Sequence, residues 1–307
     1  MVHLDAAPAF DAVLLAGPTA SGKSATALAL AERIGGAIIN TDSMQVYREL
    51  ATLSAAPGPA DRARCPHHLF GHVGVREAYS VGRYVQEASA ALARVRADGR
   101  VPIFCGGTGL YFTALVFGIA DIPQVPPAIR AAVGRARDEL GAGRFHAELV
   151  RRDPASAGLN PADTQRTLRA MAVLEASGEP LSYWQSRSAP AALGGLRLQR
   201  FVLSPPRPVL YARIEARFLR MLEAGALEEA RALVELDQAL PAAKALGLRP
   251  LKDYLAGRTS LPDAVAGAQT ATRNYAKRQL TWFRHRMADW NWVGDGNIII
   301  TNSLLGT

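Results

Sequence analysis

The chain is poor in cysteine, in lysine and in long apolar runs, and each shortage excludes something. Two cysteines, Cys65 and Cys105, are too few for a disulfide framework, and Cys105 lies in an apolar run where a reduced, buried thiol is the ordinary outcome. The longest apolar stretches, such as Phe112 to Ala120, fall short of the ~18 to 20 residues that cross a bilayer, so no membrane partner is expected. The opening residues MVHLDAAPAF carry an acid and a proline and no cationic run ahead of an apolar stretch, so a secretory signal is not expected and the cytoplasm is. Lysine occurs only at 23, 244, 252 and 277, although Lys and Arg total 35 against 27 acids. The formal charge of +8 is therefore carried almost wholly by Arg, whose planar fork suits bidentate grip on phosphates. A coding bias toward Arg produces the same excess, so the charge needs a motif beside it. With 307 residues, 49% apolar and 20% charged, the chain can bury a sizeable core.

Short apolar runs alternate with helical periodicity. AVLLA at 12 to 16 ends in a Gly-rich loop, and Ser24 to Ile34 follows with Ala and Leu at helical spacing. Ala37 to Asn40 ends at Thr41-Asp42-Ser43, and Val101 to Cys105, after a helix predicted over 82 to 97, ends at Gly106-Gly107-Thr108-Gly109. This alternation predicts an α/β class with a parallel sheet covered on both faces and its sites at the carboxyl ends of the strands. A Pro-rich link, Ile122-Pro123-Gln124-Val125-Pro126-Pro127, opens a stretch with helical periodicity and no convincing strand. The expected organisation is a core over 1–120, a helical insertion over 121–194, and a return to the core over 195–307. The return contains a strand at Leu198 to Leu203 and helices at about 208 to 236 and 262 to 288.

Gly17-Pro18-Thr19-Ala20-Ser21-Gly22-Lys23-Ser24 matches G-x-x-x-x-G-K-[ST] between a strand and a helix, the context that motif needs. Its amides curl around phosphate oxygens, Lys23 adds a point charge, and the Ser24 hydroxyl can ligate Mg²⁺. Such a loop predicts a bound di- or triphosphate without saying which group is transferred. In ATPases an Asp at the end of an apolar strand also holds Mg²⁺, yet Val101 to Cys105 runs into Gly-Gly-Thr with no acid. The acid follows the second strand instead, as Asp42, which from residue type alone reads equally well as a helix N-cap.

GPTASGKS, TDSMQVYR, PHHL at 66 to 69, GGTGLYF at 106 to 112, NPADTQRTLRAMAVLEASGEPLS at 160 to 182 and TRNYAKRQLTWFR at 272 to 284 together resemble the tRNA dimethylallyltransferases in order and spacing. The resemblance spans about residues 12 to 286. It implies a P-loop core, dimethylallyl diphosphate and the anticodon stem-loop of tRNA as substrates, and Asp42 as the base that takes a proton from the adenine amine. The P-loop, Lys23 and Mg²⁺ on Ser24 would then stabilise a leaving diphosphate. Thr19, Thr108 and Arg217 match positions that contact the diphosphate or position the reacting groups. Thr108 could instead cap a helix, and Arg217 could pair with an acid one turn away.

The resemblance also implies RNA contacts from Asp42, Ser43, Met44, Gln45, Thr108, Arg130, the run Gln165, Arg166, Thr167, Leu168 and Arg169, and the stretch from Lys244 to Arg249. On a helix over 262 to 288, Arg273, Lys277 and Arg284 share one face, a cationic stripe for RNA or a solvated face. Trp282 and Phe283 read as core. Where the family usually has a Lys after the Tyr47 motif this chain has Ala56, and Leu248 stands where an aromatic often follows Gly247. One intact site per chain makes a monomer sufficient. The strongest rival reading is a small-molecule kinase in which Asp42 activates a substrate hydroxyl. It gives no reason for the YAKRQLTW block. A catalytically silent RNA-binding protein ranks behind it, and the intact Lys23, Ser24 and Asp42 set argues against that reading. Cys65, His67, His68 and His72 have the spacing of no common zinc site.

Overall fold

The computed structural model describes residues 10–187 and 189–294, which form two compact units. The first comprises residues up to Thr113 and from Gly195, and the second comprises Ala114–Gly194. In chain order the first unit begins with β1 (Ala12–Ala16), α1 (Lys23–Ile34), β2 (Gly36–Asn40), α2 (Ala51–Ser54), α3 (Pro59–Arg64), β3 (His67–His68), α4 (Val81–Ala97) and β4 (Val101–Gly106). The division falls within α5 (Gly109–Phe117), and the second unit holds α6 (Pro127–Arg152), α7 (Thr164–Ser177) and α8 (Leu181–Gln185). The chain returns to the first unit with β5 (Leu198–Leu203), α9 (Arg207–Glu223), α10 (Ala226–Ala232), α11 (Leu248–Leu255), α12 (Leu261–Arg286) and β6 (Asn291–Val293).

Six parallel strands are ordered β3-β2-β4-β1-β5-β6. Because β1 and β4 lie at the centre with both faces covered, their residues are apolar and, apart from half-buried Val101, buried rather than alternating with polar ones. Side chains still alternate in direction. Val13 and Leu15 join Ile38, Ile103 and Phe201 beneath Ala27, Leu30, Ala31 and Ile34 of α1. The opposite face is covered by α4, which contacts β2 and β4. The chain steps from β1 to one side of the sheet and later, through β5, to the other. The loops after β1 and β4 therefore flank a switch point at the carboxyl edge, where such sheets place their sites. At the other edge Asp11 grips the Arg197 guanidinium at 3.0 and 3.1 Å and accepts its backbone N–H at 2.8 Å, tying the starts of β1 and β5 together.

Three features differ from the sequence expectation. The helix expected over 208 to 236 is two helices, because Gly225 takes φ 97° and turns the chain between α9 and α10. Strands β3 and β6 were not expected: two and three residues are too short for a periodic signal, and only pairing with β2 and β5 reveals them. In the second unit, α6 breaks at Gly141, with φ 73° and ψ 159°. That unit has its own core, in which Phe145 and Leu149 pack with Met171, Val173 and Leu174 of α7. Buried Asp153 accepts hydrogen bonds from Ser156 and Ser182 at 2.8 and 3.2 Å. No helix among the described residues is long and apolar enough to cross a membrane.

Candidate active site

The P-loop leaves β1 and enters α1 at Lys23, whose side chain is buried and donates to the Pro18 carbonyl at 3.4 Å. Burial pushes the Lys23 pKa down and the neighbouring Asp42 carboxylate pushes it up. An ammonium withdrawn from water in this way is suited to an anion that supplies the lost solvation. Ala20 lies in the left-handed region at φ 63°, a conformation a non-glycine residue holds only where its surroundings impose it. The Ser21 hydroxyl is buried without a partner among the described residues, while Ser24 is exposed.

Asp42 follows β2 and caps no helix, since the next helical turn begins at Arg48. Its Oδ1 accepts the Met44 N–H at 2.9 Å, and its own N–H donates to Asn40 Oδ1 at 2.8 Å. The Asn40 amide in turn donates to the Asp42 carbonyl at 2.9 Å and the Leu69 carbonyl at 3.0 Å, so the turn is held on two sides. Asp42 Oδ2 faces Gly107. A Cβ on Gly107 would sit 3.4 Å from that oxygen and only 2.3 Å from Gln279 Nε2, so the close approach of three loops depends on glycine there.

Thr108 does not spend its hydroxyl on capping α5. It accepts the Ser43 N–H at 2.9 Å and donates to Ser43 Oγ at 3.3 Å, while its own N–H reaches the Thr41 carbonyl at 3.1 Å. Beneath this turn Tyr84 donates to Thr41 Oγ1 at 3.2 Å and stacks on Tyr111, ring centroids 3.8 Å apart. Asp42 is therefore a carboxylate with one oxygen fixed by the backbone and the other open to the site.

Arg217 pairs with no acid along α9. Its Nη1 donates to Thr19 Oγ1 at 3.1 Å and its Nη2 reaches the Ser54 carbonyl at 3.5 Å. Burial lowers its pKa, with Asp42 opposing, and the guanidinium stays charged. The sequence reading passed over two further residues. Arg213, one turn earlier on α9, donates to the Ser21 carbonyl at 3.3 Å, and its i, i+4 spacing from Arg217 was the available signal. Gln279 of α12 is buried. Its Oε1 accepts the Thr19 N–H at 2.9 Å and its Nε2 donates to the Gly107 carbonyl at 2.8 Å, clamping the P-loop to the loop after β4. Its place in YAKRQLTW marked it without giving it a role.

The residues expected at RNA are spread more widely. Met44 and Ser43 sit in the turn beside Asp42, but Gln45 is buried and donates to the Ser54 and Ala55 carbonyls at 3.1 and 2.9 Å, so its amide is spent on the loop. In the second unit Gln165 and Arg166 are exposed, Arg166 pairing with Asp163 at 3.3 Å. Thr167 is fully buried and its hydroxyl bonds to the Asp163 and Thr164 carbonyls, and Leu168 packs on the core; α7 turns both away from solvent. Arg130 and Arg169 are exposed, and each lacks an acidic partner among the described residues; burial of the Arg169 stem and then the like charge of Arg130 lower its pKa.

Lys244, Arg249 and Lys277 are exposed, whereas Arg273 is tied to Glu215 at 2.9 Å, which corrects the expectation of a free stripe. Phe283 is core as expected, and half-buried Trp282 fills the space against Gly109. Leu248 is fully buried, so an aromatic missing there removes no surface contact. His72 bonds to Glu87 at 2.7 Å, which draws it into a cluster with Tyr79 and Arg83.

A family model described as IPP transferase matches residues 45–286, and one described as Isopentenyl transferase matches residues 10–64. The chain belongs to the IPP transferase family. It is 50% identical over 285 residues, 92% of each chain, to a tRNA dimethylallyltransferase of Bradyrhizobium sp. (strain ORS 278). It also resembles the solved tRNA isopentenylpyrophosphate transferase of Bacillus halodurans, at TM-score 0.66 and 31% identity over 96% of this chain and 93% of that one. A eukaryotic dimethylallyltransferase acting on tRNA matches at TM-score 0.79 and 24% identity over 96% and 76%, which bears on the fold. As an IPP transferase the chain is a prenyl-transferring enzyme built on a P-loop core, and the kinase alternative is not favoured.

Proposed function

We propose that this IPP transferase moves the dimethylallyl group from dimethylallyl diphosphate to N6 of the adenosine immediately 3′ of a tRNA anticodon, releasing diphosphate. The observation that carries the reading is the open Oδ2 of Asp42 beside a P-loop that Gln279 and Arg217 hold in place. The adenine amine is a weak nucleophile because its lone pair is conjugated into the ring. As its bond to C1 of the prenyl group forms, the C1–O bond breaks and the amine proton passes to Asp42 Oδ2. The electron pair leaves with the diphosphate, whose growing charge meets the loop amides, Lys23 and Arg217. An N–H of adenine can reach this carboxylate only if the base leaves its stack, as enzymes acting on bases require.

Magnesium fits the residues present. Ser24 is exposed at the start of α1, and Mg²⁺ characteristically takes one or two protein oxygens plus phosphate oxygens and water rather than an all-protein cage. When bound, the ion would neutralise diphosphate charge; this chain's own part is to present the Ser24 hydroxyl. A monomer suffices for this chemistry, and the cytoplasm, where tRNA resides, is the expected compartment.

The test is incubation of the purified chain with Mg²⁺, radiolabelled dimethylallyl diphosphate and unmodified tRNA, scoring label that precipitates with RNA. Label that disappears when the target adenosine is changed is the expected result. ATP consumption with small-molecule acceptors and no label in RNA would overturn the reading.

A further inference from the structure

At the carboxyl end of β5, on the same edge of the sheet as the P-loop, a cavity of about 210 Å³ opens between the first turn of α9 and the C-terminal part of α12. Three cations line it: Arg207, Lys277 and Arg284. No carboxylate lines it, and none of the three has an acidic partner among the described residues. Glu215, the acid on α9 that could reach across to α12, is already committed to Arg273. The remaining polar groups are hydroxyls, from Ser204, Thr281 and Tyr211. Arg207 donates to the Tyr211 oxygen at 2.9 Å and lies 5.0 Å from its ring centroid, so its guanidinium is held at the rim rather than free to swing away. A phenol that accepts from Arg207 still has its own proton to donate. The first turn of α9, with no side-chain cap, adds the positive end of a 17-residue helix.

Three like charges around one cavity repel one another, and an oxygen-rich anion is the ligand that turns this repulsion into attraction while using every donor. We propose that this cavity is a second phosphate site, separate from the P-loop, that holds a phosphate group with Arg207, Lys277 and Arg284. Its exposure on the surface of the first unit suits a phosphodiester of an RNA backbone; a free phosphate or diphosphate is the other source of the same chemistry. The RNA source rests on the proposed transferase function.

The test uses the full chain and the Arg207→Ala, Arg284→Ala and double variants. Both side chains are exposed, and neither belongs to the proposed catalytic set. Three quantities are measured: tRNA affinity as a function of salt, the KM for dimethylallyl diphosphate, and binding of inorganic phosphate by equilibrium dialysis. For an RNA phosphate, the double variant weakens tRNA binding by about 10-fold and flattens the slope of log affinity against log salt by about 1 to 2, with KM unchanged. For a free anion, inorganic phosphate binding or KM changes and the RNA slope does not. Unchanged values in all three overturn the proposal. Label transfer by the unaltered chain is scored separately, so failure of the transferase reading is distinguishable from failure of this site.

Discussion

Lys23 and Arg217 carry the same charge as Arg130 and Arg169 but live in opposite settings. Lys23 is buried and Arg217 half-buried, and both are aimed at the P-loop and held by backbone or hydroxyl oxygens, with Asp42 near both. The second pair stands in solvent on another unit, with no acid to pair with among the described residues and each other's charge nearby. Buried, pre-oriented cations stabilise charge that develops during a reaction, because no solvent needs to reorganise when it appears. Exposed Arg side chains suit a polyanion that is met from solution, where release of counterions supplies the affinity.

The comparison can be broken in order of expected effect. Asp42→Ala removes the proposed base and should cut kcat by about 10²- to 10⁴-fold while tRNA affinity stays within a factor of about two; single-turnover kinetics beside a binding titration measure both. A matching loss of tRNA affinity would make Asp42 a structural residue of the turn. Arg217→Ala should lower kcat by about 10²- to 10³-fold, in line with losing one preorganised donor. If only KM rises, Arg217 serves ground-state binding and not the departing charge. Gln279→Ala leaves the Thr19 N–H and Gly107 carbonyl without their partner, and loosening the two loops should cost about 10- to 100-fold in kcat/KM. Unchanged kinetics with a lowered Tm would reduce the clamp to a packing role.

Arg130→Ala with Arg169→Ala should leave kcat intact and weaken tRNA binding several-fold, with a shallower salt dependence. Loss of kcat without loss of affinity would erase the distinction between the two pairs. The smallest effect lies away from both. Arg197 hydrogen bonds hold Asp11 at a pKa of about 2, below its ordinary value. A depressed carboxylate contributes stability that is complete above the unfolded value near ~3.9 and is lost as pH falls toward 2. Asp11→Asn should therefore lower Tm slightly at neutral pH, with the difference from the parent chain shrinking through that acid window in thermal scans.

Much of the site was legible because its signals are local. The P-loop needs glycines and a Lys at fixed spacing between a strand and a helix, and β1 and α1 stand where that pattern requires. Asp42 was visible as the acid after β2, but its two readings were separated only by geometry: no helix begins there, and one oxygen is spent on Met44. Gln45, Thr167 and Arg273 looked like RNA contacts by position, and packing gave them other partners. Gln279 was marked by the YAKRQLTW block, but its role as a clamp was not legible, since a Gln on a long helix is ordinarily a solvated residue.

The sequence by itself determined the alternation of elements, the P-loop, the acid after the second strand and the family, because each depends on residues close together in the chain or on patterns of motifs in fixed order. Tertiary structure alone decided which oxygen of Asp42 is left without a hydrogen bond among the described residues, that Arg217 and Gln279 grip the same P-loop residue from α9 and α12, and that Arg207 and Arg284 share a cavity. Those facts join residues up to 260 positions apart. They follow from how helices pack on a parallel sheet and not from any spacing along the chain.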